Sequence, residues 1–132
     1  MPAWVDGKLV FYADSPPRRL MDLFSVKWST MVLHALYHWP GSRARTGALQ
    51  RSLEGISKKM LFQTLKELEQ RGLIARHVYD VIPPKVDYQL TPLGRTLAEP
   101  IEQMYQWGLK NQAALDEMQA RYLAAKAEPP EA

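Results

Sequence analysis

The stretch from Gly55 to Ile74, GISKKMLFQTLKELEQRGLI, leaves little choice but an amphipathic helix with both ends marked. Ser57 is a strong N-cap residue, and Gly72 stands one residue past the last turn, where a left-handed stop is needed. Between them Leu61, Leu65 and Leu68 recur at spacings of four and three, which lines them up as one apolar stripe. Lys58, Phe62, Gln63 and Lys66 fall away from that stripe. The first turn breaks a local rule. Lys58 and Lys59 sit at the positive end of the helix dipole, where a carboxylate would stabilise by about 0.3–1 kcal/mol and a cation is disfavoured.

A local rule broken without evident compensation often marks a functional position. A first turn of Ser, Lys, Lys followed by Gln suits a helix that presses its N-terminal residues against base edges and phosphates. On this segment alone, a solvated lysine pair on an ordinary surface helix remains open as the alternative.

A chain of 132 residues fits one domain with a real core. It contains no cysteine, which excludes structural disulfides, thiolate catalysis, cysteine-ligated zinc and thiol redox sensing. The apolar run from Met31 to Leu36 is interrupted by His34 and too short to span a bilayer, and no signal peptide is evident. The expectation is a cytoplasmic protein with no membrane partner. The net charge of +3 is unevenly spread. From Arg43 to Arg76 there are eight basic and three acidic residues, whereas Pro92 to Ala132 holds four basic and six acidic. A basic centre implies an electrostatic footprint on one face. Merely solvated helix faces are the plain alternative.

Taken in order, residues 1–14 combine a turn at Asp6-Gly7 with a β-prone run from Leu9 to Tyr12, and read as a strand or arm. Ser15-Pro16-Pro17 starts a short helix through RRLMDLFSV. From Lys27 to His38 the residues Trp28, Met31, Val32, Ala35 and Leu36 follow a helical period, ending at Trp39-Pro40-Gly41. Ser42 to Thr46 reads as a basic loop, Gly47 to Leu53 as a short helix, and Glu54-Gly55-Ile56 as the tight turn of a helix-turn-helix. Ile74–Tyr79 and Val86–Leu90 alternate as strands, with Val86, Tyr88 and Leu90 on one face. The Pro83-Pro84 loop joins them. A helix-turn-helix followed by a β-hairpin is a winged helix. Thr91 caps a further helix with Pro92 in its first turn, and Pro100 is expected to kink it. Beyond Ile101 a heptad runs through Ile101, Gly108, Leu115 and Tyr122, with Met104, Asn111, Met118 and Ala125 on the second register. Such a seam meets another helix, and the lone Asn can fix its register.

The fold expected is α+β, mostly α: a winged helix-turn-helix with a C-terminal dimerisation helix. Residues 1–14 form an N-terminal arm, 15–91 the DNA-binding domain, 92–126 the dimerisation helices and 127–132 a frayed tail.

Lys27-Trp28, Gly55-Ile56-Ser57, Lys59-Met60-Leu61, Leu65, Glu67-Leu68-Glu69, Gly72-Leu73, Pro83-Pro84-Lys85-Val86, Tyr88, Leu90-Thr91, Leu93-Gly94 and Trp107-Gly108 together resemble the HxlR-type regulators. These are winged-helix transcription factors related to the MarR type, and the resemblance covers roughly residues 15–108. The string PPKVDYQLTPLG after a GIS…KML helix is its most specific part. The resemblance implies a homodimer that binds near-palindromic operator DNA, with repression the commoner outcome. Many members carry a cysteine before the proline matching Pro16; Ser15 stands here, so thiol switching cannot act through that position. Thr46 and Ala48 replace the Phe and Glu more often found in the first helix of the motif.

On this reading two recognition helices enter successive major grooves about 34 Å apart. Ser57, Lys58 and Lys59 make the closest contacts. Gln63 can pair with adenine, either lysine can donate to guanine and Phe62 can meet a thymine methyl. Lys66 completes that face, and Thr64 stands where a basic residue is frequent in the family. Arg43 and Arg45 are assigned to the backbone, with Lys85 on the wing and Arg76 and His77 nearby. The dimer interface is assigned to Ile101, Met104, Tyr105, Gly108, Leu115, Met118 and Tyr122. Trp28, Tyr37, Trp39 and Trp107 are a candidate effector pocket, or simply core and dimer packing. His34 and His38 are four apart on one helix, but no third ligand stands out, so no metal or cofactor is expected. No catalytic constellation is visible, and an enzyme is not expected. A winged helix used for protein contact without DNA is the second functional reading, and the first-turn lysines and basic wing speak against it.

Overall fold

The computed structural model describes residues 3–24 and 27–127. Met1, Pro2, Ser25, Val26 and residues 128–132, including nearly all of the tail expected to fray, lie outside the described residues. The elements are β1 (Ala3–Val5), β2 (Lys8–Val10), α1 (Pro16–Leu23), α2 (Lys27–His38), a single 3₁₀ turn (Pro40–Ser42), β3 (Arg43–Arg45), α3 (Thr46–Ser52), α4 (Lys58–Gln70), β4 (Ile74–Tyr79), β5 (Lys85–Leu90), α5 (Pro92–Lys110) and α6 (Gln112–Ala127). The chain divides into two compact units, residues 1–98 and 99–132.

In the first unit, α4 forms where its end signals place it. The Ser57 hydroxyl accepts from Met60 N at 3.0 Å, satisfying one of the orphan amides of the first turn. At the other end Gly72 adopts φ +76°. Leu73 N donates to Leu68 O at 3.0 Å and Gly72 N to Glu69 O at 2.9 Å, the paired bonds of a Schellman stop. Leu61, Leu65 and Leu68 are all at most 1% exposed, so the stripe faces the core as the spacing requires.

Helix α2 packs against α3 and α4 and against β5. Its buried stripe is Ser29, Val32, Leu33 and Leu36. Trp28, Met31 and Ala35, expected on that stripe, are half-buried at its margin instead. The rotation lets the branched residues 32, 33 and 36 fill the interior while the larger Trp28 stays at the rim.

Ser42 to Thr46 is not a loop: Arg43–Arg45 is a third strand. It pairs antiparallel with β5, giving the sheet order β3-β5-β4, with Ala44 opposite Tyr88 and Arg45 opposite Asp87. The β4–β5 hairpin carries the predicted alternation, with Ile74 opposite Leu90 and Arg76 opposite Tyr88. The N-terminal arm is a separate two-stranded hairpin, closed by Asp6 (φ 50°) and Gly7 (φ 74°). In it Ala3 pairs with Val10 and Val5 with Lys8, so the strand is shorter than the expected run from Leu9 to Tyr12.

The first unit runs to Ala98 and so includes the first turn of α5, which Gly94 seats closely. Thr91 Oγ1 accepts from Gly94 N at 3.0 Å as the cap and donates to Gly72 O at 2.6 Å. This draws the first turn of α5 so close to Leu73 that a Cβ at position 94 would run into the Leu73 carbonyl. That carbonyl also accepts from Thr91 N at 3.1 Å and cannot easily yield. Gly94→Ala is therefore expected to destabilise by about 1–3 kcal/mol, read as a fall in Tm of roughly 4–12 °C by calorimetry. An unchanged Tm would show that the loop yields freely.

Helix α5 contains Pro100 within its span, and a helix break falls at Asn111. There Asn111 N reaches Trp107 O at 3.0 Å and Gly108 O at 3.3 Å, while its side chain donates back to Trp107 O at 2.8 Å. The heptad thus spans two helices, and its Asn is occupied with its own backbone. Among the described residues no helix is long and apolar enough to cross a membrane.

Candidate nucleic-acid interface

The first turn of α4 is open to solvent: Ser57, Lys58 and Lys59 are exposed. No acidic residue occupies that turn, so neither lysine has a carboxylate partner there and the dipole penalty is uncompensated within the turn. One and two turns further along, Phe62 (45% exposed), Gln63 and Lys66 continue the same outward surface. Gln63 Nε2 lies 3.4 Å from Glu67 Oε1, a loose contact that leaves the amide free to turn outward. Thr64 points the other way; it is 1% exposed and its hydroxyl donates to Met60 O at 2.7 Å. The position where a basic residue is frequent in the family therefore belongs to the core side of this helix.

The three-stranded sheet presents a second polar surface. Residues opposite one another across strands share a face, so Arg45, Asp87 and His77 form one row, with Arg43 beside Gln89 and Tyr79 beside Lys85. Arg76 pairs with Tyr88 and so lies on the other face from Lys85. The two wing cations expected to act together are separated by the sheet.

Asp87 is the residue that sequence reasoning missed. Strand alternation assigns it to solvent, yet it is 6% exposed. Its Oδ2 accepts from Tyr79 OH at 2.8 Å, and Oδ1 lies 3.7 Å from Arg43 Nε. Arg43 Nη1 donates to Tyr79 OH at 3.0 Å and Nη2 to Gln89 Oε1 at 2.9 Å. Gln89 Nε2 donates in turn to Gly41 O at 3.2 Å. Arg43, expected to be free for a phosphate, is thus engaged by three side chains of the sheet. Arg45, Arg51 and Lys85 are exposed, and with Arg43, Asp87 and Trp39 they line a cleft of about 610 Å³ between α3 and the wing.

The aromatic residues assigned to an effector pocket do not gather in the first unit. Trp28 and Tyr37 stand nine residues apart on α2, roughly 13 Å along its axis. Trp28 is covered by Lys27 Nζ at 4.7 Å and Tyr37 by the Arg95 guanidinium at 5.9 Å, while Trp39 lines the wing cleft. His34 and His38 meet edge to face with ring centroids 4.7 Å apart. In the second unit Ile101 is 1% exposed and so is not offered to a partner. Met104, Leu115, Met118 and Tyr122 are 41–60% exposed, and Trp107, Leu109 and Leu123, outside the heptad positions, are 53–61% exposed.

A capped, outward-facing helix behind a tight turn, followed by a wing on a three-stranded sheet, defines a winged helix-turn-helix protein. The HxlR-like helix-turn-helix family model matches residues 23–116. The chain belongs to this family of winged helix-turn-helix transcriptional regulators. It is 37% identical over 113 residues to the HTH-type transcriptional regulator YdeP of Bacillus subtilis, covering 86% of this chain and 84% of that protein. Among solved structures it is similar to a regulator described as of the MarR family from Porphyromonas gingivalis W83. That match has a TM-score of 0.71 and 34% identity, covering 77% of this chain and 97% of the other. It is also similar to the reduced form of the redox regulator HypR, with TM-score 0.68, 36% identity and coverage of 78% and 99%.

Proposed function

We propose that the chain is a cytoplasmic homodimeric regulator that binds operator DNA sequence-specifically and represses transcription, without catalysis. The observation that carries this reading is the α4 first turn: two exposed lysines at a capped helix start that has no carboxylate of its own. A polyanionic duplex supplies the missing negative charge, and the free amides of the turn add hydrogen bonds to phosphate. Ser57, Lys58 and Lys59 read or grip the duplex first, with Phe62, Gln63 and Lys66 extending the contact along the major groove. HypR is described as a redox regulator; with no cysteine anywhere in this chain, a thiol route is closed here. Any effector acts by another chemistry.

The test is a mobility shift with the region upstream of the chain's own gene, run against a scrambled duplex of equal length. Retardation of the first with at least about a hundredfold preference over the second supports specific recognition. Equal, weak retardation of both would leave only non-specific binding, and none at all would favour the protein-contact reading.

A further inference from the structure

The cleft between α3 and the wing holds four cations and one buried acid, an arrangement that is wasteful if every arginine binds phosphate. A carboxylate 6% exposed among arginines cancels part of the field that would attract a polyanion. Its burial is compensated on two sides: Tyr79 donates to one oxygen and the Arg43 guanidinium stands beside the other. Arg43 turns both terminal nitrogens onto Tyr79 and Gln89, so its guanidinium is held in place by the sheet. Tyr79 ends β4, Gln89 lies on β5, and Arg43 begins β3, so this one cluster ties all three strands together. Through Gln89 it also fastens the sheet to Gly41, in the turn that follows α2.

We propose that Asp87 is a positioning residue for DNA binding. Through Tyr79 and Arg43 it fixes the sheet so that Arg45, Arg51 and Lys85 face one cleft that seats a phosphodiester of the duplex, while Arg43 braces rather than binds. This rests on the DNA-binding reading and deepens it by separating cations that grip from one that holds the grip in shape. Arg51 joins the contact set here; it stands on α3, one turn beyond Gly47, on the wall opposite Lys85.

The cleft reads backbone and not sequence, so the test uses a mixed-sequence duplex of ~30 bp, with affinity measured across a range of salt. Arg45→Gln and Arg51→Gln should each lower the slope of log K against log salt by about 0.9 per phosphate lost. Asp87→Asn makes the face more positive by one charge. Simple attraction predicts tighter binding; the brace predicts binding weaker by about fivefold or more, since a buried partner is lost. Tyr79→Phe, which removes a single hydroxyl, should weaken binding in the same direction and carries the test if the Asp87 variant fails to fold. Arg43→Lys separates the two roles. A phosphate contact would be rescued by lysine, whereas a compact ammonium lacks the planar fork whose two separate nitrogens reach Tyr79 and Gln89, so the brace predicts that it binds as weakly as Arg43→Gln. Tighter binding by Asp87→Asn, unchanged binding by Tyr79→Phe, or rescue by Arg43→Lys would each overturn the assignment. If the unaltered protein binds no duplex at any salt, it is the DNA-binding reading itself that fails.

Discussion

A chain carrying Lys58→Ala and Lys59→Ala is expected to lose operator binding altogether while melting no lower than its parent. The two effects have opposite physical origins. Both lysines are exposed and stand at the positive end of the α4 dipole, so their removal relieves a repulsion of about 0.3–1 kcal/mol each. Stability should be unchanged or slightly raised. On the proposed reading a dimer loses four cations from its DNA-facing surface, at about 1–3 kcal/mol for each base contact of good geometry. Affinity then falls by a thousandfold or more, and the salt slope drops with it. Ser57→Ala is the matching control on the same turn. It removes the hydrogen bond to Met60 N and should cost about 1 kcal/mol of stability, with a smaller loss of affinity. The measurements are fluorescence anisotropy with the operator and a thermal melt of each variant. Retained operator binding by the double variant would mean that α4 is not the reading helix.

Helix α4, its cap, its stop and the hairpin after it were legible because each carries redundant local signals. A period, a capping hydroxyl and a glycine at positive φ all agree there, and the Schellman bonds show the same residues doing what their types favour. Strand β3 was illegible for the opposite reason. Three residues, Arg-Ala-Arg, are too few for their alternation to be told from a loop, and their strand character comes from pairing with β5, more than 40 positions away. Missing β3 hid Asp87 as well. An acid on a hairpin's outer face is a solvated acid unless a third strand brings arginine across from it. The rotation of α2 has a similar cause: Val32 and Leu33 are adjacent, and only packing against α4 and β5 decides which flank of the apolar surface turns inward. The heptad was read correctly as apolar, but its residue Ile101 is consumed within the single chain, and the helix is interrupted at Asn111 where an unbroken seam was expected.

If the chain is the homodimer proposed above, replacing Met118 and Tyr122 by glutamate is expected to leave it a monomer. In the second unit Leu115, Met118 and Tyr122 recur at spacings of three and four on α6 and are 41%, 49% and 55% exposed. Large apolar side chains left exposed at that spacing on a helix suit coverage by a partner. Leu115, Met118 and Tyr122 would lose most of this exposure in a dimer, at about 25 cal/mol for each Å² of apolar surface removed. Two glutamates on the stripe place like charges opposite each other in any symmetric pairing and leave them desolvated. The operator then meets two independent half-site readers instead of one linked pair, and the linkage is worth about 10²–10⁴ in affinity. The expected result is a halved mass by light scattering after size exclusion, an unaltered melting of the winged helix, and operator affinity lower by that factor. Met118→Leu with Tyr122→Phe, which keeps the stripe apolar, should remain dimeric and bind normally. If the glutamate variant stays dimeric, the contact lies elsewhere on the chain, and the exposed α6 stripe would have to serve a different partner.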